Sequence, residues 1–189
     1  MILDCGPDHD RRQVDITIPT DRPAVGIFIS GGLDSALLYH LLTKYTQQTI
    51  VPLVLEKTSK TKYFAQSVVS YITPGQTVNI IKADTVASAI PKVRRQFDYL
   101  YLGLIQERKE FLIDWVSSAA TDNHFRKSPL QHVDKSHIVD LVVRENQQNL
   151  FLLTHTCAVQ DIGRCGTCNR CRERAWGFEQ LALQDPGVL

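Results

Sequence analysis

A chain of 189 residues, 43% hydrophobic and 22% charged, has the apolar content of an ordinary globular protein and enough length for one domain with a substantial core. Its formal net charge of +1 gives no overall drive toward nucleic acid or an anionic membrane. No apolar run approaches the ~20 residues of a membrane helix, and the polar start from Met1 to Arg12 carries no signal-peptide core, so a cytoplasmic protein without membrane partners is expected.

In chain order, residues 1–23 are polar, and the alternation of Val14–Ile18 predicts an edge strand. Val25–Ile29 predicts the first buried strand. The turn Ser30-Gly31-Gly32-Leu33-Asp34-Ser35 follows. Leu37, Leu38, Leu41, Leu42 and Tyr45 then repeat at helical spacing, with His40, Lys44 and Gln47 between them. Ile50–Leu55 reads as a second strand, Lys62–Ile72 as a helix broken by Pro74-Gly75, and Val78–Ile81 as a third strand. Val86–Phe97 is a helix that Pro91 must kink or split. Tyr99–Leu104 makes a fourth strand ending near Gly103, and Phe111, Leu112, Trp115, Val116 and Ala119 make one stripe of a helix over Glu107–Ala120. Residues 121–130 are polar and irregular; Ser136 caps a helix holding Ile138, Leu141 and Val142. Leu150–Leu153 reads as a fifth strand, and Asn169–Leu183 as the closing helix. Strands apolar on both faces, alternating with helices, predict an α/β fold: a parallel five-stranded sheet with helices on both faces, one domain over residues 1–189. Ligands of such sheets bind beyond the carboxyl ends of the strands, where Ser30–Ser35 would lie.

The chemistry starts at that turn. Two adjacent glycines allow a tight bend and a close approach of ligand to backbone. The free N–H groups of the next helical turn, with the helix dipole, favour negative charge there. Ser30 and Ser35 add hydroxyls, so the turn is a phosphate cradle, without the Gly-Lys-Ser/Thr ending of a Walker A loop. The hexapeptide resembles the Ser-Gly-Gly-x-Asp-Ser signature of the PP-loop ATP pyrophosphatases, which grip the pyrophosphate end of ATP and cleave between its α and β phosphates. The resemblance implies that ATP binds at Ser30, Gly31, Gly32, Leu33, Asp34 and Ser35.

Four of the five cysteines, Cys157, Cys165, Cys168 and Cys171, fall within fifteen residues. Clustering of this kind favours a metal over a disulfide scaffold. Four thiolates on short, glycine-bearing turns suit a tetrahedral, structural Zn²⁺, and three at x2 spacing suit an iron–sulfur cluster too. His155 stands close enough in sequence to replace one cysteine. Arg164, Arg170, Arg172 and Arg174 crowd the region, either as a patch for phosphate or RNA or, the preferred reading, as balance for the thiolate charge.

The tail carries a second resemblance. Cys165-Gly166-x-Cys168-x-x-Cys171-Arg172-x-Arg174-x-x-Gly177-Phe178, followed by Asp185-Pro186, is similar to the C-terminal zinc motif of the 7-cyano-7-deazaguanine synthases. Thr156-Cys157 resembles that family's first ligand, and Ser128-Pro129-Leu130-x-x-Val133-Asp134-Lys135-x-x-Ile138 its threonine-proline-leucine segment with the following lysine. The resemblance implies a zinc-binding tail over residues 155–189 within a queuosine-pathway ligase. Its reaction would turn 7-carboxy-7-deazaguanine and ammonia into the nitrile at the expense of ATP, with Asp34 helping to hold Mg²⁺ and Lys135 neutralising phosphate charge. Nucleic acid is not an expected partner, and a homodimer is left open. The family's proline-x-arginine-asparagine segment has no counterpart here; Arg94-Arg95-Gln96 occupies that interval. The alternatives are a PP-loop synthetase adenylating another carboxylate or an RNA base, and a non-catalytic nucleotide-binding protein.

Overall fold

The computed structural model describes residues 1–18, 24–56, 59–111 and 123–187. Strands β1 (Ile2–Cys5) and β2 (Arg12–Asp15) pair antiparallel as a hairpin apart from the main sheet. The edge strand expected at Val14–Ile18 is therefore half of a separate ribbon. It is anchored by Cys5, Val14 and Ile16 in the main core and by polar contacts: Gly6 N donates to Asp140 Oδ2 at 2.8 Å, and Nε2 of the buried His137 lies 2.9 Å from the carbonyl of Asp10. Gly6 has φ +103, and a Cβ there would meet the His137 ring at 2.5 Å. Cys5 is fully buried, which pushes its thiol up to about 12 and makes it an inert packing group rather than a nucleophile.

The main sheet is built from β3 (Ala24–Phe28), β4 (Thr49–Leu55), β5 (Asn79–Ile81), β6 (Tyr99–Leu102) and β7 (Arg126–Lys127). They stand in the order β5-β4-β3-β6-β7, all parallel. Alternate side chains enter two cores: Val25, Ile27 and Tyr101 join one, and Phe28, Leu100 and Leu102 the other. The larger core is closed by α1 (Leu33–Tyr45), α2 (Ser59–Ile72), α4 (Lys135–Arg144), α5 (Leu150–Leu153) and α6 (Asn169–Glu179). The smaller is closed by Ala89 and Val93 of α3 (Val86–Val93). The five-stranded parallel sheet with helices on both faces is as expected. No helix among the described residues is long and apolar enough to cross a membrane.

Several elements differ from the sequence reading. Leu150–Leu153 is one turn of helix, closed by Thr154 Oγ1 donating to the Leu150 carbonyl at 2.6 Å. A four-residue apolar run has no period that separates strand from helix. The fifth strand is instead Arg126–Lys127, inside the stretch read as irregular; two polar residues on a sheet edge leave no hydrophobic signal. The helix α3 ends at Val93, two residues past Pro91, and α6 ends at Glu179 rather than Leu183. Most of the helix expected over Glu107–Ala120 lies outside the described residues; Lys109–Phe111 forms a 3-10 turn. The first helix is not two-faced: Leu33 and every residue from Ser35 to Leu42 are buried, and His40, read as part of its polar face, lies 3.1 Å from Glu145.

Candidate functional site

The chain runs outward from β3 to β4 to β5, then returns to lay β6 against the other side of β3. The order reverses between β3 and β6, and parallel sheets of this type bind ligands above that switch point. A cleft of about 560 Å³ opens there, lined by Ser30, Gly32 and Asp34 from the loop after β3 and by Gly103 after β6. The wall opposite carries Lys135 of α4 and the segment from His155 to Ala158.

The loop is braced by its own groups. Ser35 Oγ accepts from Ser30 N at 3.1 Å and donates to the Gly32 carbonyl at 3.1 Å; Ser30 Oγ accepts from Gly32 N at 3.2 Å. Gly31 sits at φ +81, where a Cβ would lie 2.7 Å from Phe64 Cβ. Gly32 caps α1 with no side-chain hydrogen bond, and Gly32, Leu33 and Asp34 of this helix N-terminus line the cleft. Thirteen residues of helix stand behind that terminus and give it a dipole that attracts anions.

Gly103 is a site residue that the sequence offered only as a strand end. A Cβ there would fall 2.6 Å from Ser35 Cα and 2.7 Å from its nitrogen, because the chain leaving β6 crosses the first turn of α1. These are backbone atoms that no rotamer can move. Gly103→Ala should lower the unfolding free energy by about 1–3 kcal/mol in a denaturant titration. An unchanged midpoint would mean that the first turn of α1 can retreat.

Lys135 opens α4 and is 3% exposed, its Nζ 2.5 Å from Asp34 Oδ1. Two features hold it there. Asp134 caps the helix and accepts from Ser136 N at 3.0 Å. Burial works against the Asp134 carboxylate, but hydrogen bonds from His137 and Ser136 win and hold its pKa at about 2. On the other side Gly177 of α6 packs so closely that a Cβ would lie 2.7 Å from Lys135 Cγ. The glycine of the tail motif is therefore what lets α6 close over the lysine.

The sulfurs of Cys157, Cys165, Cys168 and Cys171 all lie within 4.8 Å of one another. A single ion with Zn–S bonds of about 2.3 Å sets tetrahedral sulfurs ~3.8 Å apart, so the four fit one ion. Backbone N–H groups of Val159 and Gln160 reach Cys157 Sγ at 3.4 and 3.2 Å, and Cys168 N reaches Cys165 Sγ at 3.3 Å. The Thr167 hydroxyl and the backbone N–H groups of Cys168 and Thr167 bring the Cys165 thiol down to about 6. Gly163 and Gly166 make the turns at φ +74 and +71. His155 is not part of the cluster. Its N donates to the Gly31 carbonyl at 2.9 Å, and its ring stacks on Phe64 at 4.6 Å.

The arginines have other partners than the sulfurs. Arg164 and Arg174 both grip Asp185, and Arg174 Nη2 also donates to the Phe151 carbonyl at 2.6 Å. Arg170 meets Glu107 at 2.6 Å, and Arg172 lies over the Phe111 ring. Most of the crowd is consumed in tying the tail to the body. Sequence reasoning also missed Lys60, Glu107 and Glu173 on the cleft wall. Burial pushes the Glu173 carboxyl up, against the pull of Lys135.

Residues 107–182 match the family model described as queuosine biosynthesis protein QueC. A 7-cyano-7-deazaguanine synthase of Campylobacter jejuni subsp. jejuni serotype O:6 is 32% identical over 84 residues, 43% of this chain and 34% of that protein. The synthases of Aliarcobacter butzleri and Nautilia profundicola are each 37% identical over 59 residues, 31% of this chain and 25% and 26% of their own lengths. The matched stretch spans about a third or less of these curated relatives. Among solved structures, the U34-tRNA thiolase NcsA from Methanococcus maripaludis, with its 4Fe–4S cluster, aligns over 84% of this chain and 66% of its own at 13% identity and a TM-score of 0.45, too loosely to carry an argument. By family model and relatives alike, the chain resembles the 7-cyano-7-deazaguanine synthases, and the matched model spans α4, the four cysteines and α6.

Proposed function

We propose that this chain is an ATP-dependent synthetase converting 7-carboxy-7-deazaguanine and ammonia to 7-cyano-7-deazaguanine, with ATP split to AMP and pyrophosphate. The observation that carries the reading is one convergence. The open N-terminus of α1, the buried Lys135 and the wall beside the cysteine cluster all face one cleft at the switch point of the sheet.

A carboxylate resists amines until one oxygen becomes a leaving group. The substrate carboxylate would attack the α-phosphorus, pyrophosphate would depart, and ammonia would displace AMP to give the amide. A second ATP would activate the amide oxygen, whose loss as AMP leaves the nitrile. What this chain supplies is electrostatic. Backbone donors of Ser30–Ser35 and the Lys135 ammonium face the departing charge, fixed before the reaction starts. Mg²⁺ held through Asp34 would draw further charge from the same oxygens. The cysteine set fits a structural Zn²⁺, since four protein ligands leave no open position.

The test is incubation with 7-carboxy-7-deazaguanine, ammonium, Mg²⁺ and ATP, followed by mass spectrometry of the base. Nitrile and pyrophosphate are expected together. A second reading is favoured by the absent proline-x-arginine-asparagine segment: a related PP-loop synthetase with another carboxylate. Pyrophosphate release with other carboxylates, and never with this one, would select it.

A further inference from the structure

Glu173 is a carboxylate that the chemistry above does not use. It stands on α6 one turn before Gly177 and lines the cleft, with its side chain only 3% exposed. Its Oε1 is buried and has no hydrogen-bond partner among the described residues. A buried carboxylate oxygen without a hydrogen bond is unfavourable, and burial accordingly pushes this carboxyl's pKa up. The two cations that act on it, Lys135 and Arg170, are already engaged elsewhere. Lys135 Nζ is 2.5 Å from Asp34. Arg170 Nη1 is 2.6 Å from Glu107, and 3.8 Å from the other oxygen of Glu173. Neither reaches Oε1 with a hydrogen bond.

In its ionised form, which an N–H donor would stabilise against burial, a carboxylate oxygen accepts and does not donate. Its missing partner is therefore a donor, and the phosphates of ATP offer none. Resting on the proposed reaction, the donors brought to the cleft are nitrogen-bound: the ammonium ion, and the N–H edge of the aminopyrimidinone ring of the base. We propose that Glu173 is the N–H acceptor of this cleft, holding a nitrogen donor of the non-nucleotide substrates through Oε1. The position has a reason to be buried. A carboxylate open to water would bind any cation, whereas one closed in by α6 accepts only what enters beside Lys135.

Two variants separate the roles. Glu173→Gln keeps the shape and removes the charge, and Glu173→Leu removes the acceptor; thermal melting of each checks the fold. The KM values for ammonium, base and ATP are measured in turn. Calorimetry measures binding of 7-carboxy-7-deazaguanine and of ammonium chloride to protein loaded with a non-hydrolysable ATP analogue. The KM or Kd for ammonium or for the base should rise about ten- to a hundredfold in Glu173→Leu, and in Glu173→Gln as well where the donor is the ammonium cation, while that for ATP stays within about twofold. The arm that moves identifies the donor. Unchanged values for both, or a change confined to ATP, would overturn the proposal. If wild-type protein makes no nitrile but binds base or ammonium in a Glu173-dependent way, the reaction fails and the acceptor stands. If nitrile forms and neither value depends on Glu173, the reverse holds. Wild-type protein that binds neither overturns both.

Discussion

Pyrophosphate release should fall about a hundredfold or more in Asp34→Ala, with the fold retained. Asp34 is the second residue of α1, and its side chain is 22% exposed at the cleft. It holds two positions at once. One oxygen pairs with Lys135 at 2.5 Å, and in the proposed reaction the other would hold Mg²⁺. Removing the carboxylate would take away that proposed ligand, and it leaves a 3% exposed ammonium without its counter-ion. The second effect should cost about 1–3 kcal/mol of stability, visible in a denaturant titration. Lys135→Met tells the two apart. If Asp34 serves only to hold the lysine, the double variant is no slower than either single one. If each acts on its own, the losses multiply. ADP and orthophosphate as products, in place of AMP and pyrophosphate, would remove the basis for both expectations.

What could be read in the sequence follows from where the signal is strong. The strand before Ser30 is short, apolar and followed by two glycines, so the strand–turn–helix was plain, and the open helix N-terminus came with it. The cysteines were plain because their spacing has few other uses. Two kinds of feature were not legible. Short elements such as Leu150–Leu153 and Arg126–Lys127 have too few residues for any period to show. Burial of charge was also hidden. Arg174 is expected to balance thiolate charge and Glu173 carries no expectation, yet Arg174 is 1% and Glu173 2% exposed. The reason is that α6 is pressed onto α4 through Gly177, and helix pitch then turns position 173 inward beside Lys135. His40 was misplaced in the same way, since α1 is covered on nearly every side. Contacts between distant segments decide such cases, and a linear pattern does not hold them.

Loss of the metal should be felt in stability before chemistry, and in ATP binding before turnover. Cys157 follows His155 and Thr156 on the cleft wall, and His155 is hydrogen-bonded to the Gly31 carbonyl of the phosphate loop at 2.9 Å. Cys171 lies in the first turn of α6, the helix that closes over Lys135. One ion on the four sulfurs would therefore tie the loop's outer support to the helix that buries the lysine. Structural zinc contributes apparent binding energies of about 10–16 kcal/mol in small zinc domains; even a third of that, about 4 kcal/mol, would lower the melting midpoint by ~8–16 °C. Cys168→Ser should show this shift, with a raised KM for ATP where the protein stays folded. Exhaustive chelation of the wild type should reproduce it, and added Zn²⁺ should reverse it. Elemental analysis should find about one zinc per chain. The sulfurs lie within 4.8 Å of one another, close enough for a single ion, whereas a polyatomic iron–sulfur cube has to hold its thiolates farther apart. A brown protein containing iron and acid-labile sulfide would overturn the zinc assignment. A melting curve indifferent to chelation would overturn the structural role.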